Sequence, residues 1–222
     1  MKEVLDKYWM LKLNECRRAL VKNNFVAYVT ETSDEAKWLV LNEIIPKSGA
    51  KKFGYGGSLT VERLEILDSI RKNPEYEVVE TFAHPTANRE ERMEIARHAL
   101  IVDFFITGTN AITEAGILVN LDMWGNRVGA MAYGPKNVLV MTGRNKLVIS
   151  LKEAMDRIKN YAAPANAIRH DMKHPRKTPC VATGICAECN GEWRICNTWV
   201  INEKSFPKGR IIVVLINEDL GL

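Results

Sequence analysis

No stretch of the 222 residues approaches the roughly 20 consecutive apolar positions a membrane-spanning helix requires. The longest apolar runs, such as Ile211 to Ile216, have the length of a strand. The opening MKEVLDKYWMLKLNECRRAL lacks the unbroken apolar core of a secretory signal, so the expectation is a cytoplasmic chain without a membrane span. Charge blocks of one sign are missing as well. The 31 basic and 27 acidic residues are interspersed for a net charge of +4, which argues against tracking a nucleic-acid backbone. Internal repeats and low-complexity segments are absent.

Strand and helix patterns alternate through most of the chain. Residues 2 to 22 carry Val4, Tyr8, Leu11 and Leu20 at helical spacing, and Phe25 to Thr30 is apolar and β-branched enough for a buried strand. Thr32 with Glu35 suits a capping box for a helix that Pro46 stops. A short strand over 51–54 precedes a glycine turn, and Ser58 is placed to cap a helix that ends before Pro74. Strands are expected at 77–80, 101–107, 138–142 and 211–216, with helices at 88–98, opened by Asn88 and Glu91, and at 150–161.

Strands joined by helical crossovers pair in parallel, and long apolar strands imply a sheet covered on both faces. The expected fold class is therefore α/β, Rossmann-like, with a mostly parallel sheet. From Ala162 the texture changes: prolines at 164, 175 and 179 interrupt the pattern and cysteines crowd together. Residues 1–222 are expected to form a single domain, in which 164–205 is a cysteine-rich excursion before the last strand rejoins the sheet.

Two segments carry candidate binding chemistry. Gly54, Gly56, Gly57, Ser58 and Thr60 join a strand to a helix, where close backbone approach and unpaired N–H groups suit an anion. A turn needing glycine for geometry alone has the same composition. The strand at 101–106 delivers Thr109, Asn110 and Glu114 to its carboxyl end, where open α/β sheets bind ligands. Asp122 and Asn126 follow beside glycines, in a composition that suits either turns or a site.

The string TGTNAITEAGILVNLDMWGNRVGAMAYGPKNVLVMTGRNKLV resembles the signature block of the LUD-domain (lactate-utilisation, LutC-like) family. Gly54 to Thr60 and the terminal Asn217-Glu218-Asp219-Leu220-Gly221 resemble that family too, and the similarity covers about residues 3 to 222. The resemblance implies a fold like the NagB, ribose-phosphate isomerase and CoA-transferase group. It implies a ligand site bordered by the glycine turn and the loop from Thr109 through Asp122. It also implies a role in lactate utilisation beside iron–sulfur partner proteins. Fold-level likeness does not establish a reaction.

The remaining signal is Cys180-x5-Cys186-x2-Cys189-x6-Cys196. Two cysteines separated by two residues can ligate one ion or one cluster, and four thiolates suffice for zinc or for an iron–sulfur cluster. His170 and His174 are spaced to replace one thiolate. Four unliganded thiols, or a redox dithiol at Cys186 and Cys189, are the alternatives. Trp193 and Trp199 flank Cys196 and are expected to cover the loop.

Among single residues, loop His84 is a candidate general acid or base. Glu114 is the first candidate carboxylate, because CoA-transferases of this fold group use a glutamate nucleophile. Lys136 and Lys146 lie beside glycines; exposed lysines are the default expectation, and balancing an anionic ligand is the alternative. Three functions follow. The first is an accessory or subunit protein in lactate or 2-hydroxyacid utilisation that binds a small anion. The second is a free-standing isomerase or acyl-CoA transferase, and the third a non-catalytic metal- or redox-sensing module. A homo-oligomer suits the fold group.

Overall fold

The computed structural model describes residues 1–82, 88–172 and 177–222, so His84 and His174 lie outside the described residues. In chain order the elements are α1 (Lys2–Lys22), β1 (Val26–Thr30) and α2 (Ser33–Leu39), which continues through a wide π-type turn into α3 (Ile45–Ser48). Then come β2 (Lys52–Tyr55), α4 (Leu59–Arg63), α5 (Ile66–Arg71), β3 (Glu77–Val78), α6 (Arg89–His98) and β4 (Phe104–Gly108). They are followed by β5 (Ala111–Thr113), β6 (Leu118–Asp122), α7 (Asn126–Tyr133), β7 (Asn137–Gly143) and β8 (Leu147–Val148). The rest is α8 (Leu151–Arg157), α9 (Ala163–Asp171), α10 (Pro179–Thr183), β9 (Thr198–Asn202) and β10 (Ile211–Ile216).

Six strands form one sheet in the order β1-β10-β7-β4-β2-β3, and every pairing in it is parallel. The sequence explains why both faces are covered. Side chains alternate along a strand, and here both alternating sets are apolar. Leu139 and Met141 of β7 with Val214 and Ile216 of β10 enter one core, and α2, α4 and α5 pack on that face. Val138 and Val140 with Val213 and Leu215 enter the opposite core, against α1 and α7. The expected α/β, Rossmann-like sheet is therefore present.

Helix starts follow their caps. Asn88 and Glu91 form a complete capping box, and the Thr32, Ser58 and Ser150 hydroxyls each accept the N–H three residues on. Several bounds differ from expectation. The helix opened by Ser58 breaks at Glu65, which sits at φ 51° and divides it into α4 and α5. The strand expected from Ile101 begins at Phe104. Pro164 does not interrupt the helical path after α8; it stands in the first turn of α9, directly after a π-type stretch over Ile158–Ala162.

A second sheet, β8-β5-β6-β9, was not expected. Its β5 and β6 are an antiparallel pair that occupies the segment expected to be loop. Ile112 and Leu118 face the α1 core, whereas Ala111, Val119 and Leu121 face Ala154 and Ile158. The small sheet is thus wedged between α1 and α8. Among the described residues no helix is long and apolar enough to cross a membrane.

Candidate functional site

From β2 the chain runs outward to β3, then returns across β2 to β4 and on to β7 and β10. The strand order therefore reverses between β2 and β4, and the crevice position of open α/β sheets lies outside the carboxyl ends of such a pair. Two close approaches shape it. A Cβ on Gly56 would lie 2.6 Å from Arg127 Cγ, and one on Gly108 would lie 2.5 Å from Ser58 Oγ. Both glycines are needed because side chains from other elements occupy the space a Cβ would fill. Gly57 remains exposed at the turn.

Arg127, one residue into α7 and 7% exposed, organises the crevice. Its Nη1 donates to Asn120 Oδ1 at 2.7 Å and to the Gly108 carbonyl at 3.3 Å. Its Nη2 donates to Asn110 Oδ1 at 2.8 Å and to the Leu121 carbonyl at 3.2 Å. Asp122 supplies the countercharge at 3.5 Å and accepts the Arg127 N–H. Asn110 Oδ1 also accepts the Leu121 N–H, so this side chain clips the end of β4 to β6.

A second cation lies close by. Lys146, 4% exposed, donates to Thr60 Oγ1 at 2.9 Å, and Thr60 in turn donates to the Leu220 carbonyl. Burial, then repulsion from Arg157 and Arg127, pushes the Lys146 ammonium down to about 7. Arg157, whose charge acts on Lys146, donates to the carbonyls of Asn110 and Asn145. Asn120, fully buried, has no acceptor for its Nδ2 among the described residues.

The structure brings Gly56, Ser58, Thr60, Thr109, Asn110 and Asp122 to this crevice or its immediate walls. Thr109 Oγ1 donates to the Ala111 carbonyl inside the β5 turn. Gly54 lies within β2, where a Cβ would meet Ala99 and Val102 behind α6. Asn126 opens α7 and borders a groove of about 200 Å3 shared with Arg97, Leu100 and Trp124. Glu114 stands apart: its carboxylate pairs with Lys12 of α1 at 2.8 Å. Lys136 is exposed. Arg127, Asn120 and Arg157 were not singled out from sequence, because neither spacing nor composition marks an arginine that will be buried.

Cys16 is fully buried in α1, and burial pushes its thiol up to about 12. Cys180, Cys186, Cys189 and Cys196 are free thiols that line one small cavity. Among the described residues no three His, Cys, Asp or Glu side chains stand in metal-ligating arrangement. Trp199 packs with Cys196 against the small sheet, whereas Trp193 is 39% exposed.

The description "LUD domain" fits a family model that matches residues 13–216. The chain is also similar to a solved structure, that of a DUF162-family protein from Deinococcus radiodurans, at 13% identity and a TM-score of 0.32. That match covers 84% of this chain and 94% of the other. No curated protein matches the chain.

Proposed function

Because the chain belongs to the LUD-domain family, we propose that it binds a small organic anion of the 2-hydroxy- or 2-oxo-acid class in the crevice between β2 and β4. On this reading it serves lactate or related 2-hydroxyacid utilisation as an accessory or subunit protein, beside iron–sulfur partners that carry electrons away. The carrying observation is the charge balance of the crevice. Arg127, Lys146 and Arg157 meet there, and Asp122 is the one carboxylate that pairs with any of them among the described residues. A buried, unpaired ammonium costs stability, and an incoming carboxylate offsets that cost. Asn120 Nδ2 offers a further donor without an acceptor. A ligand carboxylate beside Lys146 and a hydroxyl or oxo group nearer the Asn110–Asn120 pair match these groups in kind.

Calorimetric titration of the full chain with lactate, pyruvate and glycolate tests the reading. Binding by wild type and its loss in Lys146→Met is the expected result. Absence of heat with every one of these acids, or equal binding by both proteins, overturns it.

A further inference from the structure

Four of the five cysteines face one cavity of about 20 Å3, although they are spread over residues 180 to 196. That volume suits a single water-sized or ion-sized body. The chain around it is held in place at several points. Pro179 opens α10 and Gly184, at φ 70°, ends it, so Cys180 is fixed within one short helix. Arg194 Nη1 donates to the Cys189 carbonyl at 2.8 Å and its Nε to the Cys196 carbonyl at 2.9 Å. One guanidinium thus sets the spacing of two cysteines and places a positive charge on the cavity wall.

Cys196 is anchored from behind, packed with Trp199 on the small sheet and α8. Glu188, between Cys186 and Cys189, sits at φ 48°, in the left-handed region that a side chain occupies at a cost of about 1–2 kcal/mol. Its carboxylate is turned to Lys159 at 3.3 Å. Strain of this kind persists where the surroundings determine the backbone, yet residues 184 to 197 form no helix or strand.

We propose that Cys180, Cys186, Cys189 and Cys196 bind one zinc-type ion as a tetrathiolate site. An all-sulfur donor set selects a soft ion, and tetrahedral zinc takes four thiolates at about 2.3 Å. The cavity as it stands has room for one ion. Four thiolates and one divalent ion carry a net charge of −2, which Arg194 partly offsets. The side chains ring the cavity without converging on one point. On this proposal the cysteine side chains turn inward about χ1 as the ion binds, because four thiolates, which repel one another, gather only around a cation. Binding releases the thiol protons to solvent and forms four S–Zn bonds, with no change of oxidation state. The site is independent of the crevice reading. It is a structural staple for a segment that has little apolar surface.

The test uses the full chain, purified anaerobically under reducing conditions, with elemental analysis followed by chelation and titration with Zn2+ and Co2+. One zinc per chain is expected, with the intense visible bands of tetrahedral Co–thiolate on cobalt loading. Zn2+ is expected to shield four cysteines from alkylation. Cys186→Ser and Cys189→Ser lose stoichiometric binding, whereas Cys16→Ala keeps it. The wild-type titration decides the matter even where a serine variant fails to fold. Iron with acid-labile sulfide overturns the single-ion site, and so does unchanged alkylation of all four thiols in the presence of Zn2+.

Discussion

Lys146 Nζ donates a 2.9 Å hydrogen bond to Thr60 Oγ1, tying the turn after β7 to the helix that follows the glycine turn. A cation so placed is buried beside two arginines, and its pKa is pushed down to about 7.

Anion affinity is expected to follow the charge on Lys146. Below about pH 7 the ammonium is charged and affinity is flat; above it, affinity falls by about tenfold per pH unit. Calorimetry with lactate or pyruvate from pH 6 to pH 9 checks this. A flat profile for wild type refutes the role of Lys146.

The same residue sets a stability signature. Its folded pKa lies below the unfolded value of 10.5, so between about 7 and 10.5 the unfolded chain holds a proton that the folded chain lacks. Stability therefore rises with pH across that window, and below it the cost of burial is fully present. Urea unfolding should show the rise in wild type and a flatter curve in Lys146→Met.

Arg127→Ala removes five side-chain hydrogen bonds and ion-pair contacts from a buried network, leaving Asp122 without its countercharge and Asn120 Oδ1 with the Asn110 N–H alone. A loss of about 3–5 kcal/mol is expected from breaking a buried pair on one side. The midpoint of denaturant unfolding measures it, and a loss under about 1 kcal/mol contradicts the described network.

Gly56→Ala places a Cβ 2.6 Å from Arg127 Cγ. Overpacking should cost about 1–3 kcal/mol and displace the arginine, weakening anion binding. Gly57→Ala, which meets Phe82 at an ordinary 3.7 Å, is the contrasting variant and should change neither.

Glu114→Gln breaks an ion pair whose members are both about a third exposed. The expected change is under about 1 kcal/mol, with anion binding at the crevice unaltered. Loss of a measured turnover in this variant, with binding intact, would identify Glu114 as catalytic after all.

The parallel sheet was legible because β4, β7 and β10 are apolar at every alternation, a pattern that only a sheet covered on both faces requires. The small sheet was not. Its β5 and β8 span three and two residues, too few to show a period, and polar Thr113 and Asn120 lie among their apolar neighbours. Pro164 read as an interruption because a proline's effect depends on whether it stands in a first turn, which the preceding backbone decides.

The glycine turn and Asn110 were identifiable from residue type and from position after a strand. Lys146 was named beside its glycine, but Arg127 and Arg157 were not: the three cations come from three elements, Lys146 meets Thr60 and through it Leu220, and both arginines meet Asn110. The sequence by itself determined the strand-and-helix alternation, the glycine turn and the spacing of four cysteines, since each rests on neighbours within a few residues. Only the tertiary structure decided which charges are buried together and which cysteines share a cavity. Burial and electrostatic coupling act through distance in space, and that distance is set when the crossovers between strands close.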